Sequence, residues 1–182
     1  MTNLIVDMPP QRRARIAGGF YVIAILSSIF SFVVPSAANV ALGIAGLAYV
    51  GVTILFYFLF KPVNKGASLL AALLSFAGIA VPSSLPLSFS IAMTFFGFYC
   101  LLIGYLAFKS TYLPRILGVL LAIGGICYLF NGFAHFLSLA FAPHLLPYII
   151  LPGFGAETLL CLWLLVKGVD VQRWQEKVDD RR

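Results

Sequence analysis

The chain has 182 residues, of which 62% are hydrophobic and 10% charged, with a mean hydropathy of +1.02. A soluble domain is about 45–50% apolar and about 25% charged. This chain has too few charges to cover a soluble core and too much apolar surface to stay disordered, which leaves an integral membrane protein. Its net charge of +6 would also suit nucleic acid. The basic residues, however, bracket apolar blocks and form no patch with interleaved aromatics, so no nucleic-acid partner is expected.

Residues 1–13 read as a short N-terminal segment that closes on Arg12 and Arg13. No charged residue follows from Ile16 to Phe60, and none from Gly66 to Phe108; the block from Ile116 to Val166 carries a single acid, Glu157. A spanning helix needs about 20 apolar residues to cross a hydrocarbon core of about 30 Å. Each block therefore holds two spans, expected at 14–34 and 39–60, 66–82 and 88–108, and 116–140 and 148–167.

The start of the first span, with Arg12 to Arg15 ahead of it and Ser36-Ala37-Ala38 behind it, has the look of a cleaved signal peptide. Its apolar stretch, Ile16 to Val34, is longer than the usual core of about 7–15 residues, so it reads as a retained span. The turns inside the blocks are marked by breakers: Pro35-Ser36-Ala37-Ala38-Asn39, Pro82-Ser83-Ser84-Leu85-Pro86, and the stretch around Pro143-His144-Leu145-Leu146-Pro147. Proline removes a backbone donor and stops a helix, and serine and asparagine favour caps and turns. The third span is the shortest.

Together these make an all-α polytopic membrane protein of six transmembrane helices, arranged as three αα-hairpins in one bundle, with a membrane domain at 14–167. The second helix of each hairpin ends alike, with Tyr57, Tyr105 or Trp163 four residues before Lys61, Lys109 or Lys167. That pattern suits a repeated αα unit. It also suits any helix ending at an interface, where an aromatic anchor and a snorkelling lysine are favoured. All basic residues fall before span one, between spans two and three, between four and five, or after span six. Lysine and arginine are enriched on the cytoplasmic side, so both termini are expected in the cytoplasm.

Small residues recur along several spans. Ala67, Ala71 and Ser75 repeat every four residues, Gly97 and Gly104 lie a heptad apart, and Gly118, Gly124 and Gly125 sit in span five. Such faces let membrane helices approach closely. After Lys167 the character changes. In the tail, 168–182, Val171, Trp174 and Val178 fall at i, i+3 and i+7 with charges between, the pattern of a short amphipathic helix expected to contact anionic lipid.

Four short stretches carry a resemblance. They are Ala14-Arg15-Ile16-Ala17-Gly18, Lys61-Pro62-Val63-Asn64, Tyr112-Leu113-Pro114-Arg115-Ile116-Leu117-Gly118, and Glu157 with the run from Leu159 to Gly168. Over nearly its whole length the chain resembles a bacterial family of small multi-span membrane proteins known only as a domain of unknown function. The resemblance implies a location in the inner membrane and carries no catalytic residues or cofactor.

Glu157 is the sharpest chemical signal. An acid at mid-bilayer costs about 2.5–3.5 kcal/mol on insertion scales, so it faces protein or water and is functional by default. Span five offers Cys127, Asn131 and His135 at i, i+4 and i+8, with Ser138 beyond, and span six offers Gly153, Glu157 and Cys161 at the same spacing. Side chains lean toward their own helix N-terminus, so Glu157 and His135 converge near the level of Asn131 if the two stripes face each other. The expected binding set is Glu157, His135, Asn131, Cys127 and Gly153, with Glu157 hydrogen-bonded to Asn131 or His135.

No metal or cofactor is expected. His144 lies in a turn, the His and Glu spacing matches no zinc motif, and no nucleophile elbow, phosphate loop or dinucleotide fingerprint is present. Cys100, Cys127 and Cys161 read as small buried hydrophobes. Three functions fit these residues. The first is a non-enzymatic protein whose intramembrane polar pocket around Glu157 binds, senses or carries a small amphiphile or cation. The second is an intramembrane enzyme using Glu157 and His135 as acid and base on a lipid-like substrate. The third is a structural or accessory subunit.

Overall fold

The structure is a computed structural model that describes residues 8–82 and 84–180. Residues 1–7 of the N-terminal segment, Ser83 of the second expected turn, and Arg181 and Arg182 of the tail lie outside the described residues. The described residues are helical, with no strand among them.

Helix α1 runs Pro10–Val33 and opens with proline at its first position, where the missing N–H is not needed and φ is already set. It thereby starts ahead of the expected residue 14, and Arg12 and Arg13 lie within it. A turn of 3-10 helix at Pro35–Ala37 leads into α2, Ala38–Phe60. Helix α3, Lys65–Ile79, is capped by Asn64, whose side-chain oxygen accepts from the Ala67 N–H at 3.0 Å. Helix α4 is Ser88–Ser110 and α5 is Arg115–Phe136. A single helical turn, α6, Ala142–Leu145, and a 3-10 turn, Tyr148–Ile150, precede α7, Leu151–Val166. Helix α8, Val171–Asp179, is capped by Asp170 on the Arg173 N–H.

Among the described residues five segments are long and apolar enough to cross a membrane: Pro10–Val33, Pro35–Phe60, Ser88–Ser110, Arg115–Phe136 and Tyr148–Val166. The third expected span, 66–82, is α3 and is shorter than the hydropathy pattern suggests. Its 15 residues reach about 22 Å at 1.5 Å per residue, against a hydrocarbon core of about 30 Å. It stops at Ile79 because Val81 precedes Pro82, and a residue before proline is pushed out of helical geometry. Span five also ends early, at Phe136 instead of 140. Ser138 turns the chain with φ +51°, so it leaves the helical stripe on which the sequence had placed it.

The six longer helices close into a ring. Each of α1 to α5 packs on the next, α5 packs on α7, and α7 returns to α1. The interior is filled by Tyr21, Phe56, Tyr99, Ile103, Leu121, Leu160 and Leu164, all buried. The outside carries exposed apolar side chains on each helix, such as Leu26, Leu47, Leu73, Phe98, Ile126 and Leu162. That inversion of the soluble pattern suits a lipid surround. The tightest seam joins α4 to α5, across the boundary between the second and third expected hairpins. Gly104 meets Gly118, Gly97 meets Gly125, and Gly132 meets Thr94, so a side chain at any of these glycines would strike the opposing helix.

The basic segments gather at one end of the ring. Gln11 donates to the Lys167 carbonyl at 2.9 Å and accepts from the Val169 N–H at 2.9 Å. Arg13, 3% exposed, donates to the Phe58 carbonyl at 3.1 Å and sits 5.8 Å from the Phe58 ring and 5.7 Å from the Trp174 ring. The tail folds back onto this end: Trp174 donates to the Leu59 carbonyl at 3.0 Å, and Arg173 to the Thr111 carbonyl at 3.1 Å. The apolar face of the amphipathic tail thus presents Trp174 to the bundle.

Candidate functional site

Within the ring lies a cavity of about 340 Å³. Its walls come from every long helix: Ala24, Ile25, Ser28 and Phe32 of α1; Leu42, Ala45, Gly46 and Tyr49 of α2; Ile79 of α3; Phe89, Ala92, Met93 and Phe96 of α4; Tyr128 of α5; Phe154 and Glu157 of α7. Ile150, in the turn before α7, completes it. The mouth is at the end opposite the basic segments, where Phe32, Leu42 and Phe89 are exposed. The floor is Tyr49 and Glu157, near the middle of their helices.

Glu157 is buried, at 9% exposure, and its carboxyl oxygen Oε1 accepts from the Tyr49 hydroxyl and the Cys100 thiol, each at 3.3 Å. The Tyr49 hydroxyl also lies 3.1 Å from that of Tyr21. Tyr49 is the hub of an aromatic cluster. Its ring centre stands 5.4 Å from Tyr21, 5.0 Å from Phe96 and 5.9 Å from Tyr99, each pair edge to face. Such pairs place the positive edge of one ring on the negative face of the next. One acid therefore sits among phenols and aromatic rings, and none of the described residues lining the cavity is basic.

Helix geometry explains the convergence. Tyr21, Tyr49 and Tyr99 each lie near the middle of α1, α2 and α4, so all three reach the same depth as Glu157 in α7. The close approaches that hold this level are made by glycines. Gly124 of α5 lies against Gly153 of α7, and Gly153 leaves room for the Tyr128 ring. Gly18 lets α1 pack on Leu165 of α7, and the Cys161 thiol donates to the Gly18 carbonyl at 3.4 Å.

The residues singled out from the sequence are not gathered into one place. Spans five and six do touch, and Gly153 lies at their crossing. Glu157 lines the cavity, but its hydrogen bonds go to Tyr49 and Cys100 and not to Asn131 or His135. His135 is turned back on its own helix, with Nδ1 donating to the Asn131 carbonyl at 2.8 Å. A proton on Nδ1 follows, since a carbonyl can only accept. Asn131 is fully buried, and neither atom of its amide has a partner among the described residues. Cys127 is a half-buried free thiol. None of Cys127, Asn131, His135 or Gly153 lines the cavity. Among the described residues no three His, Cys, Asp or Glu side chains group closely enough to hold a metal ion.

Tyr49, Tyr21, Cys100 and Phe96 are not singled out by the sequence pattern. A signal for the tyrosines was present. Tyrosine in a membrane protein prefers the interface, and a buried hydroxyl needs a hydrogen-bond partner. A tyrosine in the middle of each of several spans therefore points to a shared polar group at that depth. Cys100 gave no such signal, because a buried thiol packs as a small hydrophobe.

A family model described as Domain of unknown function (DUF4386) matches residues 84–168. An uncharacterised protein of Archaeoglobus fulgidus is 31% identical over 129 residues, which cover 65% of this chain and 76% of that protein. No solved structure matches the chain.

Proposed function

This chain belongs to the family called Domain of unknown function (DUF4386), a membership that brings no activity with it, and we propose from its own geometry that it binds a small amphiphile or cation in the cavity over Glu157, to sense or carry it. The observation that carries this reading is the cavity itself: apolar walls from all six long helices that end on one buried carboxyl held by Tyr49 and Cys100. Ligand pockets are concave and mostly apolar, with a few placed polar groups. The volume of about 340 Å³ falls at the small end of the range of about 300–1,000 Å³ for such sites.

The reading includes a topology. Five helices cross the membrane, and α3 makes the sixth crossing as a short member of the ring, its exposed Leu69, Leu70 and Leu73 against lipid. The basic end faces the cytoplasm by the positive-inside rule, and the mouth of the cavity opens on the other face of the inner membrane. Cysteines placed singly at 36 and 84 are then expected to react with an impermeant thiol reagent from outside, and at 64 and 111 only after the membrane is opened. One reversed position breaks the topology.

Native mass spectrometry of gently extracted protein tests the binding reading. The expected spectrum shows a small molecule retained on the wild type and lost from Ala92→Trp, which fills the cavity wall. Bare protein in both samples overturns the reading in favour of a structural or accessory subunit.

A further inference from the structure

We infer that the ligand of this cavity is an organic monocation with an apolar body, of the alkylammonium class, its charged end against Glu157 and its body toward the mouth. The inference rests on the binding reading above and names the chemistry of what is bound.

The charge balance of the site comes first. Among the described residues Glu157 is the one acid lining the cavity, and no lysine, arginine or histidine lines it. Its partners, Tyr49 and Cys100, are neutral donors. In a medium of low polarity a lone ionised carboxyl is costly, and a charge interaction is several times stronger than in water, so a cation that pairs with Glu157 offsets that cost. An anionic amphiphile such as a fatty acid carboxylate would find no basic side chain to pair with in the lining.

The aromatic rings point the same way. Tyr49, Phe96 and Tyr128 line the cavity. The face of an aromatic ring carries negative potential and attracts a cation within about 6 Å. A substituted ammonium uses such faces well, because its charge is spread over apolar groups that also pack on the rings.

A bare metal cation is the rival for a carboxyl floor. Calcium takes 6–8 oxygen ligands, and magnesium needs near-octahedral oxygens. The floor supplies one carboxyl and the hydroxyl of Tyr49, and the walls add only the hydroxyls of Ser28, which is spent on the Ala24 carbonyl at 2.8 Å, and Tyr128 to a lining of leucine, isoleucine, phenylalanine, methionine, alanine and one glycine. Those walls fit a hydrocarbon body and cannot replace the water of a small ion. A polar neutral molecule such as a sugar fails for the same lack of donors and acceptors.

The test uses two probes of one shape. Hexyltrimethylammonium and 2,2-dimethyloctane differ in a charged nitrogen against a neutral carbon. Binding of each is measured by isothermal titration to the whole protein in nanodiscs, with empty nanodiscs as the blank, for the wild type, Glu157→Gln and Ala92→Trp. The expected result is cation binding at least tenfold tighter than that of the isostere, a preference that collapses in Glu157→Gln, and loss of both ligands in Ala92→Trp. Equal binding of the two probes to the wild type, with both lost in Ala92→Trp, overturns the cation inference and leaves the binding reading standing. Binding of either probe that is indifferent to Ala92→Trp, or no binding of either, overturns both. The wild-type ratio of the two probes decides the charge question even where a variant fails to fold. A preference retained in Glu157→Gln overturns the role of the carboxyl.

Discussion

At the basic end of the ring, the last carbonyls of α2 are each taken by a different part of the chain. Tyr57 accepts from Ser68, Phe58 from Arg13, Leu59 from both Tyr112 and Trp174, and Phe60 from the N–H groups of Val63 and Asn64. Half a membrane away, the hydroxyl of Tyr49 and the thiol of Cys100 meet on one side-chain acid beside open space. The contrast separates two uses of polar groups in an apolar protein. A helix end leaves four carbonyls without partners, and where lipid or protein excludes water those carbonyls must be met from within. The donors at the basic end answer that need and tie α1, α3, α8 and the turn between α4 and α5 to α2. Nothing in backbone bonding calls for an acid at the floor of the cavity. Glu157 instead joins α7 to α2 and α4 through side-chain hydrogen bonds alone.

The comparison makes the basic half stiff and the cavity wall tolerant, and glycine substitutions break or sharpen it most. Gly104 lies in the α4–α5 seam, where an added Cβ would stand 2.6 Å from the Gly118 carbonyl oxygen and 3.0 Å from the Ala122 nitrogen. Neither is the end of a flexible side chain. Gly104→Ala is expected to cost about 1–3 kcal/mol, the range for overpacking, read as a lower midpoint for thermal aggregation of the detergent-solubilised protein. An unchanged midpoint would show that the seam yields, and that the basic half is not the rigid one.

Trp174→Ala removes an indole hydrogen bond, worth about 0.5–1.5 kcal/mol, and a contact with the buried Arg13, worth at least about 0.5–1 kcal/mol. The tail should open roughly 5–30-fold more often, as expected for a loss of one or two kcal/mol. Hydrogen exchange within Val171–Asp179 measures this, with exchange in the core of α2 unaltered. Equal protection of α8 in both proteins would remove the tail from the set of contacts that close the basic end.

The smallest effect is expected on the other side of the comparison. Gly46 lies in the cavity wall, and an added Cβ would meet only Ile79, at an ordinary 3.6 Å. Gly46→Ala should leave stability level or raise it by up to about 1 kcal/mol through helix propensity. Its measure is the same thermal midpoint as for Gly104→Ala. Destabilisation equal to that of Gly104→Ala would erase the distinction between wall and seam.

Composition and charge spacing determined much of this protein by themselves. Long blocks without charge can only cross or fill an apolar phase, so the helices, their approximate limits, the clustering of basic residues at one end and the buried place of Glu157 were all legible in the order of the residues. Helix lengths were legible less well. Val81 before Pro82 and the left-handed turn at Ser138 trimmed spans three and five, because local backbone geometry stops a helix where hydropathy continues. Partners were a matter for the tertiary structure alone. The polar stripe of Cys127, Asn131 and His135 has the right period on α5, yet period fixes only the relative angle of residues on one helix and not which neighbour each face meets. Ring closure brought α2 and α4 to Glu157, and Tyr49 and Cys100 took the places that Asn131 and His135 were expected to hold. Helix rotation about its own axis is set by packing against neighbours, here by the glycine contacts of α4, α5 and α7, and those contacts exist only once all six helices are in place.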